Sequence, residues 1–266
     1  MIFSIFLPSC SGLERSEYEK VRKNNLVEDP ISRNQQDREH VHMPPSLQAS
    51  PVYPWDHPSC PHPKIRQEYF YCKGHANHLP YSLGGVTYQD CEGKQEHTLP
   101  LKEGKEHVYP ILIDLLNYVQ QETGKKVQIT SGHRCPKHNA YADPSAFNRA
   151  SKHQIGAEVD FYVEGMEHTP LAIVDLLMRY YKEASQTKGH SSYTSFKRYL
   201  GSGTNVKTPP WYNKEVFIKL YQKDEGRDRD NQHTFPYLAI QVRFDRNTEE
   251  KVTYSWEKAH KKIRFR

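Results

Sequence analysis

Two stretches of this chain alternate apolar and polar residues with the period of a β-strand. From Ala157 to Val163, the side chains of Ala157, Val159, Phe161 and Val163 would face a core, while Glu158, Asp160 and Tyr162 face away from it. From Tyr237 to Asp245 the pattern repeats, with Leu238, Ile240, Val242 and Phe244 on one side and Ala239, Gln241, Arg243 and Asp245 on the other. Lys126–Thr130, Lys214–Tyr221 and Val252–Trp256 read as further strands, and Tyr69–Cys72 and Tyr88–Cys91 as a pair joined through a Gly84-Gly85 turn. Two other stretches carry the helical period. Val108, Ile111, Leu112, Leu115 and Val119 share one face, and Gly124 ends that helix. Thr169-Pro170 starts a second helix, with a cap followed by proline at the first helical position; its apolar face is Ile173, Val174, Leu177, Met178 and Tyr181. Helices first and an antiparallel sheet later predict an α+β fold, a central antiparallel sheet flanked by helices. No internal repeat is present.

Composition divides the chain. The 266 residues suffice for one ordinary domain plus a tail, and hydrophobic residues make up only 36%. Residues 11–58 are polar and proline-rich without a persistent apolar period, which predicts a flexible tether. Ahead of it, residues 1–10 end in Leu7-Pro-Ser-Cys10, which looks like a truncated lipoprotein signal with Cys10 as the lipidated residue. The folded domain is then expected over 59–266. No run reaches the roughly 18 apolar residues of a membrane span, so any membrane contact would be through that lipid. The net charge of +5 suits an acidic surface such as a cell wall or anionic lipid. Nucleic acid is disfavoured, because no cluster of Lys and Arg is interleaved with aromatics.

Candidate chemistry centres on His153 and Asp160. His153 would lie in the loop before the first alternating strand, Gly156 would allow the bend, and Asp160 would point from the strand's polar face. Zinc takes such a mixture of imidazole nitrogen and carboxylate oxygen at about 2.0–2.2 Å. Such a pair is common by chance, so its context decides. Upstream stand Thr130-Ser-Gly-His-Arg134, then Asn139, then Ser151-Lys-His153. The order Ser-Gly-x-Arg, Asn, Ser-x-His-x-x-Gly-x-x-x-Asp, over about residues 127–163, resembles the zinc D-alanyl-D-alanine carboxypeptidases and the related vancomycin-resistance dipeptidases. The resemblance implies that His153 and Asp160 are two of three protein ligands to Zn2+. It further implies that Arg134 steadies the oxyanion and the substrate, and that Ser151 helps hold the substrate backbone. By the same resemblance the fold would be that of the hedgehog signalling domain. The substrate would be a peptidoglycan stem peptide, and the location a bacterial cell envelope, periplasmic and lipid-anchored.

The chain departs from that family on the later strand. There the family carries a His, and a base that is His or Glu, as His-x-His or Glu-x-x-His. Here Gln241 and Arg243 fall at the His-x-His positions. Arginine stays protonated and does not ligate zinc. Two outcomes are open. A histidine from elsewhere, His233 or His190, completes a hydrolytic site; or Arg243 replaces the metal's charge beside Asp160, giving a metal-free relative that binds peptides without cleaving them. A scaffold lipoprotein gripping cell-wall peptides or a partner protein is a third class. Glu158 reads as a solvated or salt-bridged side chain, which leaves the general base unassigned.

Four cysteines remain besides Cys10. In an oxidising compartment Cys60, Cys72, Cys91 and Cys135 suggest two disulfides, with Cys72–Cys91 the first pairing and Cys60–Cys135 the remainder. The competing reading is a structural zinc site, since His62, His75 and His78 crowd the same region. The run Asp224–Asp230 reads as a solvated charged turn.

Overall fold

A computed structural model describes residues 61–75, 77, 79–93, 99–145, 150–256 and 258–259. The expected signal, the tether, Cys10, Cys60 and His78 lie outside these residues. In chain order the elements are β1 (Tyr81–Leu83), β2 (Val86–Tyr88), β3 (Leu101–Lys102), β4 (Lys105–Glu106), α1 (Pro110–Thr123) and β5 (Val127–Ser131). Then follow α2 (Pro136–Ala142), β6 (Glu158–Val163), α3 (Pro170–Glu183), α4 (Ser191–Thr194), β7 (Lys197–Arg198) and β8 (Trp211–Tyr212). The last are β9 (Val216–Tyr221), β10 (Tyr237–Val242), β11 (Phe244–Asp245) and β12 (Glu250–Lys251).

A six-stranded sheet organises the domain, in the order β5-β6-β10-β9-β8-β7, with every neighbouring pair antiparallel. The architecture is mixed α and β, compatible with α+β. Alternation sorts the sheet's two faces. Val159, Phe161, Val163, Leu238, Ile240, Val242, Ile218 and Leu220 form one core with Ile111, Leu112, Leu115 and Val119 of α1 and Ile173, Val174 and Leu177 of α3. A fully buried side chain of this kind contributes roughly 1.5–3 kcal/mol. The opposite face carries the polar half of each strand. Glu158 lies across from Gln241, and Asp160 across from Ala239, which in turn lies across from Lys219.

Both helix readings hold. Gly124 ends α1 in the left-handed region at φ 61°, and Pro170 opens α3 behind Thr169. The strand readings need correction in two places. Tyr69–Cys72 is not a strand: Gln67–Phe70 forms a 3-10 turn that drops Phe70 into the core, and the hairpin turning at Gly84-Gly85 pairs β1 with β2 instead. Val252–Trp256 is not one either. Among the described residues the ladder after β10 is that of β11 with β12, Tyr254 makes only an isolated bridge, and Val252 and Tyr254 are buried as core residues. Among the described residues no helix is long and apolar enough to cross a membrane.

Candidate metal centre

His153 is delivered by a short turn. Ser151 caps the 3-10 turn Lys152–Ile155, its Oγ accepting from His153 N at 3.3 Å. Gly156 then reverses the chain at φ +67°, where an added Cβ would lie 2.7 Å from the carbonyl oxygen of His107. Only glycine fits there without strain. The histidine ring is fixed from behind. Its Nδ1 lies 2.6 Å from the Gly132 carbonyl oxygen, so Nδ1 carries the proton and donates. That leaves Nε2 facing the strand, 3.5 Å from Asp160 Oδ2 and 3.8 Å from Glu158 Oε2.

His153, Glu158 and Asp160 therefore converge: ligand atoms of all three lie within 4.8 Å of one another, and all three residues are buried. One imidazole nitrogen and two carboxylate oxygens form a donor set that can hold a metal ion. A carbonyl behind the distal ring nitrogen is the usual way a ligating histidine is oriented. Burial opposes charging of His153, but Glu158 and Asp160 more than reverse this and raise its pKa above the ordinary imidazole range.

The acidic turn expected to be solvated is part of this centre. Asp228 and Asp230 fold back over β5 and meet Arg134. The guanidinium donates from Nη2 to Asp228 Oδ2 at 2.6 Å, and from Nε to Asp230 Oδ2 at 2.8 Å and Ser131 Oγ at 2.7 Å. Its Nη2 is also 3.6 Å from Asp160 Oδ2. Asn231 ties the turn to the strand, donating from Nδ2 to Asp160 Oδ2 at 2.9 Å and accepting from Thr130 Oγ1 at 2.6 Å. The β5–β6 register shifts between Ile129 and Ser131, and that irregularity sets Ser131 beside Asp160. Beyond Asp230 the network continues. His138 spans Asp230 Oδ1 at 2.9 Å and Asp90 Oδ1 at 2.6 Å. Burial would lower its pKa, but the two carboxylates raise it far above the ordinary range. Burial would also raise Asp230, yet Arg134 and His138 hold it well below the usual carboxylate range.

Comparison with protein-family models, with curated proteins and with solved structures gave no match.

The geometry of the site keeps His153 and Asp160 together and changes the other assignments. Arg134 is buried and committed to three carboxylates, so it braces the acidic residues where the resemblance implied a group free for an oxyanion. Ser151 spends its hydroxyl on the turn that carries His153. Arg243 does not approach Asp160. Its guanidinium lies 4.8 Å over the Tyr212 ring and donates to the Asn213 carbonyl, because Arg243 follows the end of β10, beyond the row that faces Asp160. The neutralising arginine is Arg134. Neither proposed third histidine joins the cluster. The His233 ring stacks on Phe235 at 4.1 Å with Nδ1 on the Phe235 carbonyl oxygen, and His190 is an exposed residue preceding α4.

The third residue of the cluster is Glu158, two residues before Asp160 on the same face, 7% exposed and hydrogen-bonded by Gln241 Nε2 at 2.5 Å. Its position in the alternation carried the signal, since two acids on one strand face beside a histidine loop mark a metal-binding row. Asp228 and Asp230 left a weaker trace: an arginine expected in a buried site needs nearby carboxylates.

Proposed function

We propose that this chain is a metal-dependent hydrolase that takes peptide ends of the D-alanyl-D-alanine type, on the fold shared by that peptidase family and the hedgehog domain. The carrying observation is the convergence of His153 Nε2, Glu158 and Asp160 with the histidine's other nitrogen tied to a carbonyl. Charge supports it. With His153 neutral and Nε2 given to a metal, the network holds five carboxyl groups (Asp90, Glu158, Asp160, Asp228, Asp230) against two cationic groups, Arg134 and His138. With these groups ionised, an excess of three negative charges sits in a buried region, and a dication offsets most of it.

Bound there, Zn2+ would polarise a scissile carbonyl and bring water towards ionisation at neutral pH. The chain's own residues do the rest. Arg134 keeps Asp160, Asp228 and Asp230 from repelling one another. Gln241 holds Glu158. Lys219, in the same row as Asp160 two strands away, is buried with its ammonium held by Asn205 Oδ1 and the Tyr221 hydroxyl, and adds positive charge to this face. The substrate class this favours is a peptidoglycan stem peptide, and the setting a cell envelope with Cys10 as the lipid attachment point.

A second reading, a metal-holding relative that binds such peptides without hydrolysis, is favoured by the full engagement of Arg134. One experiment separates the two. The zinc-loaded full chain is incubated with a stem peptide ending in D-Ala-D-Ala, and released D-alanine is measured beside His153→Ala and Glu158→Gln. Release by the wild type, lost in both variants, supports the hydrolase. Peptide binding without release leaves the binder, and neither binding nor release defeats both.

A further inference from the structure

A second cluster of metal-binding side chains lies on the far side of His138. Cys72, Cys91 and Cys135 are free, buried, and bring their sulfur atoms within 4.8 Å of one another. The expected Cys72–Cys91 disulfide is not formed, the two sulfurs being 3.6 Å apart, and Cys135 completes a trio with them in place of the expected bridge to Cys60. Among the described residues the three converging sulfurs are all unpaired thiols.

We propose that these three cysteines form a zinc-thiolate site, separate from the His153 centre, with the fourth position left to a ligand outside the trio. Three thiolates fill three of the four positions of a tetrahedral structural zinc set. Asp90, Cys91 and His138 also bring ligand atoms within 4.8 Å of one another, so the imidazole lies beside Cys91 with its own nitrogens held by Asp90 and Asp230.

The backbone around the trio is arranged for charged sulfur. Cys91 Sγ accepts from Gly93 N at 3.4 Å, and Cys135 Sγ accepts from His138 N at 3.3 Å. Hydrogen bonds donated to sulfur favour the thiolate, the form that binds metal. Two Cys-x-Gly turns make this possible. Gly74 and Gly93 both have positive φ, +64° and +60°, and pack back to back: a Cβ on Gly93 would lie 1.8 Å from the Lys73 carbonyl oxygen, and one on Gly74 would lie 2.6 Å from Gly93 N. Glycine at both places lets Cys72 and Cys91 approach from separate segments. The zinc alternative read from the sequence set these cysteines beside His62, His75 and His78; neither His62 nor His75 joins the trio, and His78 lies outside the described residues.

Without an ion the trio is strongly protonated. The Cys135 sulfur, and then burial, push the Cys72 thiol up to about 11, while Cys91 and burial outweigh Cys72 and carry Cys135 to about 12. Zinc binding would displace three thiol protons and leave the sulfurs as its ligands. Because Cys135 follows Arg134 directly, an ion held here would brace the loop that carries Arg134.

The test uses the full chain, reduced anaerobically and loaded with Co2+. Sulfur-to-cobalt charge-transfer absorption in the wild type, retained in His153→Ala and lost in Cys135→Ser, supports the site. It does so whether or not the His153 centre is active, since carboxylate and imidazole ligands give no such band. Should Cys135→Ser fail to fold, the wild type alone decides: titrating its thiols with an organomercurial releases about one zinc per chain in step with thiol loss. No charge-transfer band in the loaded wild type, or an unchanged band in folded Cys135→Ser, overturns the proposal. So does a Cys72–Cys91 disulfide in the chain isolated without reductant.

Discussion

Gln241 lies directly across the sheet from Glu158 and donates from Nε2 to Oε1 at 2.5 Å. That bond fixes which carboxylate oxygen turns toward His153, because Oε2 is the one left 3.8 Å from Nε2. Removing a hydrogen bond that orients a ligand typically weakens metal affinity by about 10–100-fold. Gln241→Leu should therefore lower zinc affinity of the His153 centre by that factor, measured by competition with a chromophoric chelator. Unchanged affinity would mean that Glu158 needs no orienting partner or is not a ligand.

Arg134 has a different role. It is 2% exposed and touches Asp160, Asp228 and Asp230 at once. Truncating one partner of a buried charge network leaves the others uncompensated, at a cost of about 3–5 kcal/mol. Arg134→Met should lower the urea midpoint accordingly, and added zinc should recover part of the loss by replacing positive charge. A midpoint within experimental error of the wild type would show that these carboxylates do not depend on the guanidinium.

How far these relationships were legible in the sequence follows from their range. Period-two alternation in Ala157–Val163 and Tyr237–Val242 is local, and it set both strands and the faces of Glu158, Asp160 and Gln241. Gly124 and Thr169-Pro170 are local signals too, and both helices end or begin there. Arg243 was misplaced because β10 stops at Val242, after which Arg243 N and Phe244 N both bond the Glu215 carbonyl oxygen, a break that alternation does not reveal. The Asp228–Arg134 and Asp90–His138 pairs span 94 and 48 residues. Nothing near Asp228 in the chain distinguishes it from an ordinary solvated acid, and the three cysteines meet only after a hairpin and two turns close around them.

Gly156 offers a test of how tightly the His153 turn is specified. Its φ of +67° and the 2.7 Å approach to the His107 carbonyl oxygen both oppose a side chain. Gly84 has a similar φ of +57° with nothing within 4 Å of an added Cβ. Gly84→Ala should then cost only the left-handed conformation, about 1 kcal/mol. Gly156→Ala should cost more, about 2–3 kcal/mol, and also weaken zinc binding by shifting the imidazole. Equal losses in thermal denaturation, with zinc affinity intact, would show that the turn relaxes around the methyl group.

Away from the metal centres, Glu215 should give the domain a pH dependence of opposite sign to that of an ordinary salt-bridged acid. It is buried, with Oε1 2.6 Å from Arg246 Nε and the Tyr181 ring hydroxyl beside it. Burial outweighs the arginine and raises its pKa from 4.5 to about 7. In that window the folded chain keeps a proton that the unfolded chain has released, so unfolding releases a proton and stability falls as pH rises. The term is fully favourable below 4.5, declines up to about 7 and is flat above. A shift of this size corresponds to about 3 kcal/mol. Glu215→Gln cannot titrate, so the difference in unfolding free energy between wild type and variant should move in the variant's favour from pH 5 to pH 7.5, by an amount of that order. A difference independent of pH across that range would mean that Arg246 holds Glu215 ionised throughout.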